Sequence, residues 1–172
     1  MGFGDISLLV KISFIAIIVG FIVNLIGFAS PYWTSYSIVA GRYHAGLWQA
    51  CVNGCSDHNN VAVFITLYLN KTSYFVPLDW LAAARAFGVI GFLASVAALV
   101  LVVLYIFLSK ASNKLVYIAT FCSCFVTAGC VLLSVLIFAA FTTNLDWAWA
   151  FCVVALITFN VCGVLLVADA KG

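Results

Sequence analysis

The chain has 172 residues, 67% hydrophobic and 7% charged, with a net charge of +2 and no Glu, where an ordinary soluble domain is roughly 45 to 50% apolar and about 25% charged. Its twelve charged side chains cannot solvate an 18.5 kDa globule of mean hydropathy +1.26, so much of the surface must meet lipid. The scattered positive charge offers no footprint for nucleic acid. Two His and five Asp leave little for acid–base catalysis, and neither an enzyme, a small-molecule substrate nor a cofactor is expected.

Four apolar stretches, at about 8–29, 81–108, 115–141 and 147–168, are each long enough to cross a hydrocarbon core of about 30 Å as a helix. The first is too long for the apolar part of a secretion signal, and Ser30-Pro31-Tyr32-Trp33 makes a poor cleavage site, so it reads as a retained span. Residues 30–80 form the single long connection, and the other two are short. Lys11, Lys110, Lys114 and Lys171 fall on the side of both termini, which the positive-inside bias assigns to the cytoplasm. The close pair Cys51 and Cys55 and the glycosylation sequon at Asn70-Lys71-Thr72 belong on the opposite face.

Within the long loop the composition shifts to strand formers, first Tyr32, Trp33, Tyr36, Ile38, Val39 and Tyr43, then Val61, Val63, Phe64, Ile65 and Tyr68, which predicts several antiparallel strands. Cys51-Val-Asn-Gly-Cys55 reads as a hairpin with a three-residue loop and Gly54 in the left-handed position. That turn sets the cysteines opposite each other, close enough for a disulfide; two free thiols in an ordinary turn is the other reading. Phe75-Val-Pro-Leu-Asp79 reads as a turn into the second helix, with Asp79 as its N-cap.

Trp33, Gly46-Leu47-Trp48, Cys51 and Cys55, placed in the first extracellular loop of a four-span protein, resemble the W-GLW-C-C signature of the superfamily of claudins, peripheral myelin protein, epithelial membrane proteins and lens fibre membrane intrinsic protein, which also includes calcium-channel gamma subunits. Arg85, in Ala83-Ala84-Arg85-Ala86-Phe87, extends the resemblance into the second helix. It implies one claudin-like domain over 1–172: a left-handed four-helix membrane bundle carrying a small extracellular antiparallel β-sheet, with Cys51 and Cys55 disulfide-bonded. Trp33 and Gly46-Leu47-Trp48 would then lie at the outer membrane boundary, where Trp favours the interface and accepts a cation over its ring, and Arg85 would join them to anchor sheet to bundle. Three features depart from claudins: the three residues between Cys51 and Cys55, a shorter spacing than in typical claudins and closer to the lens and myelin branches; the short second loop Thr142-Thr-Asn-Leu-Asp146; and an ending, Ala168-Asp-Ala-Lys-Gly172, without the aromatic-valine motif that binds PDZ scaffolds. No PDZ partner is expected.

Several residues receive plainer readings. Cys122, Cys124, Cys130, Cys152 and Cys162 read as small packing residues in helices, since the first two point to different faces and make no metal site. His44 and His58 read as ordinary exposed histidines. Asn24 and Asn160 are costly in lipid and are expected to face protein, each with its own Ser, Thr or backbone partner. Gly20 with Gly27, Ala84 with Gly88, and Gly91 with Ser95 permit close helix approach.

The function expected from this pattern is a plasma-membrane interaction protein of cell contacts, junctions or barriers, partnered by lipid and by its own copies in cis and, more weakly, in trans. Phe64, Ile65, Tyr68, Tyr74 and Phe75 are the candidate contact residues. An auxiliary subunit of an ion channel or receptor, partnered by another membrane protein, is the alternative. A charge-selective pore ranks third, because Arg42 and Asp57 are its thin basis.

Overall fold

Ser7 opens the first helix: its side chain accepts a hydrogen bond from the Val10 amide at 3.3 Å, an orphan donor of the first turn. Helix α1 then runs Leu8–Ala29 and stops ahead of Pro31, and the rest of the chain follows as β1 Thr34–Ile38, β2 Gly41–Ala45, β3 Ala50–Val52, β4 Cys55–Ser56, α2 Asp79–Phe107, α3 Lys114–Phe141 and α4 Trp147–Asp169. The computed structural model describes residues 6–38, 41–52, 54–56, 79–107 and 114–170. All four helices have the length and apolarity to cross a membrane. Asp79 is the first residue of α2, inside its first turn and not ahead of it as a cap, and there its carboxylate meets the positive end of the helix dipole.

The helices carry an inverted amphipathic pattern. The buried positions of α1 are Val10, Ser13, Ile17, Gly20, Asn24 and Gly27, and those of α2 are Leu81, Ala84, Gly88, Gly91, Ser95, Ala98, Val102 and Ile106. Small and polar side chains thus face the protein, while Ile15, Val19, Leu93 and Val100 face outward; in lipid, association rests on close packing and not on hiding apolar surface. The buried sets recur every seven residues, as in Val10–Ile17–Asn24, Gly88–Ser95–Val102, Thr120–Thr127–Ser134 and Ala148–Ala155–Cys162. A strict seven-residue seam is the pattern of a left-handed bundle.

Around the bundle, α1 packs on α2, α2 on α3, α3 on α4, and α4 closes back on α1. An inner core of Ile17, Val102, Cys124, Phe159 and Leu166 and an outer core of Trp33, Leu47, Val135, Phe138 and Cys152 fill it. In the seam, Asn24 donates to the Ser95 hydroxyl at 3.5 Å and Ser134 donates to the Ala84 carbonyl at 2.8 Å, so Asn24 has the hydroxyl partner its burial requires. Asn160 does not face protein. The seam passes through Phe159 and Cys162, leaving Asn160 exposed on the outer face with its amide donating only to the Leu156 carbonyl of its own helix, at 3.2 Å.

Strands β1 to β4 pair in sequence order as one antiparallel sheet, with Tyr36 opposite Tyr43, His44 opposite Cys51, and Cys51 opposite Cys55. A positive φ of 128° falls at Gly41, where β2 begins, and not at Gly54. At the Cys51–Cys55 hairpin the closure is covalent, and the left-handed glycine expected there is dispensed with. Val39, Asp57, His58, Val61, Val63, Phe64, Ile65, Tyr68, Asn70, Tyr74, Phe75, Lys110 and Lys171 lie outside the described residues.

Candidate functional site

The site grows from the C-terminal end of α1. The last carbonyls of a helix have no partner within it, and here indole N–H groups supply two: Trp33 Nε1 donates to the Gly27 carbonyl at 2.7 Å, and Trp48 Nε1 donates to the Phe28 carbonyl at 2.9 Å. The Ile26 carbonyl takes the Ser30 amide at 3.1 Å. Trp33 is 1% exposed, its ring meeting Phe138 of α3 edge-on at 4.9 Å. Trp48 is 37% exposed, its ring edge-on to Phe28 at 5.1 Å.

Between β2 and β3 the chain folds down onto this helix end. The Gly46 amide donates to the Gln49 carbonyl at 2.9 Å, which closes the turn that points Leu47 into the outer core, where it is fully buried. A side chain at Gly46 would run into the Ser30 carbonyl and approach the Pro31 Cα to 2.8 Å, far inside normal contact. The glycine is therefore a packing requirement: the loop lies directly on the residues that end α1.

Arg85, in the second turn of α2, completes the clamp. Its Nε donates to the Leu47 carbonyl at 2.5 Å, and its guanidinium carbon stands 5.9 Å from the centre of the Trp48 ring. A cation is favoured there by the ring face and by the negative end of α1. The residues of the W-GLW-C-C pattern thus fall into two groups. Trp33, Gly46, Leu47, Trp48 and Arg85 converge on one helix terminus, while the disulfide between Cys51 and Cys55, with Cα atoms 4.1 Å apart, sits beyond them in the third and fourth strands.

The amino-acid sequence matches the family model described as PMP-22/EMP/MP20/Claudin over residues 6–166. The chain belongs to that family. No curated protein matches it. As a claudin-family protein it is a multi-pass membrane protein with four spanning helices, and the outer clamp is where its sheet joins them.

Sequence reading did not find the second clasp on the sheet. The short loop after α3 runs along β1: Ser35 donates its amide to the Asn144 carbonyl at 3.2 Å, Asp146 donates to the Trp33 carbonyl at 2.9 Å, and the Thr34 hydroxyl reaches the Thr143 carbonyl at 2.8 Å. Asn144 holds a φ of 57°, a left-handed position that Asn tolerates. Asp146 caps α4, its side chain accepting the Trp147 amide at 2.7 Å, and an Asn two residues ahead of it was the one local signal for the clasp. His44 is half-buried and not an exposed histidine, because its ring stacks on Tyr32 at 4.2 Å and its Nδ1 lies 3.2 Å from the Pro31 carbonyl. Across β1 and β2, Tyr36 stacks on Tyr43 at 4.5 Å; burial raises both phenol pKa values above the ordinary 10.0, that of Tyr43 the further.

Among the described residues no group of three or more His, Cys, Asp or Glu is placed to hold a metal ion. Of the five free cysteines, Cys124, Cys152 and Cys162 are buried and Cys122 is exposed, so Cys122 and Cys124 do point to different faces.

Proposed function

We propose that this protein acts at the plasma membrane as a contact or barrier component, whose extracellular sheet associates side by side with copies in the same membrane. The observation that carries the reading is the clamp: three side-chain donors tie the Gly46–Trp48 turn and Trp33 to α1 and α2. A sheet held by a helix terminus keeps one orientation relative to the membrane, which is what lateral, repeated contact between copies requires. Tyr36, Ser37, Arg42 and Gln49 are exposed on the strands and turn and supply polar and aromatic contact groups. The loop after α3 is engaged along β1, which leaves little to reach an opposing cell and favours association in cis.

The test uses cells lacking other adhesion proteins that express the tagged full chain. The protein is expected to concentrate where two expressing cells touch. Uniform surface distribution, with a channel or receptor co-purifying in stoichiometric amount, would sink the contact reading and establish the auxiliary-subunit one.

A further inference from the structure

Asn24 is only half satisfied. It lies on α1 five residues before Ala29, about 8 Å below the helix end at about 1.5 Å per residue, and it is 2% exposed. Its amide nitrogen donates to the Ser95 hydroxyl at 3.5 Å, a long hydrogen bond, and no group among the described residues donates to its carbonyl oxygen. That oxygen is an acceptor with two lone pairs. Left bare at this depth, it carries a free-energy cost that a donor would relieve.

Asn24 lines a cavity of about 10 Å³ beneath the clamp, together with Ser134 of α3, Cys152 of α4, and Trp33 and Leu47 of the outer core. The space exists because α2 carries no side chain at Gly88. A Cβ there would stand 3.2 Å from the Phe28 ring, 3.3 Å from Leu47 Cδ1 and 3.3 Å from the Ser134 hydroxyl oxygen, and all three of those residues line the cavity. A volume of that size admits one water molecule. Apolar cavities stay dry, whereas a polar one holds water when about two to four polar groups can bond it. Here the Asn24 carbonyl lacks a donor, and the Ser134 hydroxyl gives its hydrogen to the Ala84 carbonyl at 2.8 Å while its own oxygen can still accept. The buried Cys152 thiol is a third partner, a weak donor and acceptor.

We propose that this cavity is a binding site for a single water molecule, which donates one hydrogen to the Asn24 carbonyl and the other to the Ser134 hydroxyl oxygen, and accepts from the Cys152 thiol. The chemistry of the lining selects that occupant. The groups at Asn24 and Ser134 are both acceptors, so they require a small molecule with two hydrogens to give. The size excludes an organic ligand, and the described lining residues include no carboxylate to hold a hard cation. Asn24 stands on α1 and Ser134 on α3, which lie diagonally across the bundle, each packed on α2 and α4. The water therefore links two helices across that diagonal, just below the point where the Gly46–Trp48 turn enters the outer core. The site is built from one chain alone and is independent of what the sheet contacts.

The experiment is nuclear Overhauser transfer from water to methyl groups in the full chain, deuterated except at its leucine methyls and held in detergent micelles. Leu47 is fully buried and lines the cavity, and a methyl carries no exchangeable proton, so a water bound there is the source within reach. The wild type is expected to show a cross-peak between water and the Leu47 methyl. Gly88→Ala fills the space and should abolish it. Asn24→Leu leaves Gly88 bare but removes the amide, and should abolish it too, since an apolar lining stays dry. Both variants keep the Ser134 hydroxyl and the Cys152 thiol, so transfer relayed through those protons would survive in them. The two act by different routes, and if near-UV circular dichroism shows one to be misfolded, the other decides. A wild type without the cross-peak overturns the proposal, because the cavity is then dry. A cross-peak of unchanged intensity in a folded variant also overturns it, because its source is then a protein group and not a bound water.

Discussion

Trp33 does two separable things. Its ring fills the outer core against Phe138, and its N–H satisfies the Gly27 carbonyl at the end of α1. Trp33→Phe keeps most of the first and removes the second, leaving a buried carbonyl without a donor; a loss of about 1 to 2 kcal/mol is expected. Trp33→Ala removes both and should cost about 3 to 5 kcal/mol. Denaturation of the purified protein in detergent, followed by near-UV circular dichroism, measures the two, and a Trp33→Phe protein as stable as the wild type would mean that the hydrogen bond contributes nothing. The tryptophans, the glycine and the arginine were legible in the sequence because their spacing is a recognisable signature. Their partners were not: a backbone carbonyl leaves no mark in sequence, and Phe138 is one phenylalanine among fifteen.

At the scale of the elements, the strands between Thr34 and Ser56 were foreshadowed by a shift in composition toward aromatic and β-branched residues, and the Cys51–Cys55 hairpin by its three-residue loop. Register was not, and it is register that sets Tyr36 against Tyr43. That pairing has a consequence for pH. Burial raises both phenols above the ordinary 10.0, so the folded sheet holds these protons more tightly than the unfolded chain does. The sheet therefore keeps its full stability below about pH 10 and loses it as pH rises from there toward the folded values. Tyr43→Phe deletes the group with the larger shift, and its stability should fall less steeply above pH 10 than that of the wild type. Thermal melting at a series of pH values, read alongside phenolate absorbance, checks this; identical slopes for the two proteins would place the alkaline loss elsewhere. The helices were the easiest elements to read, and the pairs Gly20 with Gly27, Ala84 with Gly88 and Gly91 with Ser95 already marked part of the inward faces of α1 and α2, where all six are buried. The rest of the seam was not legible, because in lipid no apolar stripe separates inside from outside, and Asn160 falls off the seam by one position.

Across the whole molecule the bundle is fastened at both ends by different chemistry. At the sheet end, indoles and a guanidinium close on the terminus of α1. At the other end, Asp169 at the end of α4 accepts from the Ser7 hydroxyl ahead of α1 and from the Tyr117 hydroxyl of α3 at 2.9 Å, and Tyr117 also lies 2.6 Å from the Leu166 carbonyl. Three helices thus meet at one carboxylate. The outer fastening beside Ala148 and the inner one at Asp169 are separated by most of α4, about 30 Å at about 1.5 Å per residue. Between them lie the seven-residue seam and the inner core of Ile17, Val102, Cys124, Phe159 and Leu166, close-packed but sharing no hydrogen bond with either fastening. Two fastenings so far apart, with no shared partner, should act independently. Tyr117→Phe removes the hydroxyl and should cost about 1 kcal/mol, and Trp33→Phe combined with Tyr117→Phe should cost the sum of the two single losses to within about 0.5 kcal/mol. Hydrogen exchange locates each effect: Tyr117→Phe should speed exchange in the last turn of α4 while leaving β1 to β3 unchanged, and Trp33→Phe should do the converse. A double mutant far less stable than that sum, with exchange raised at both ends by either change alone, would show that the seam carries strain from one face of the membrane to the other.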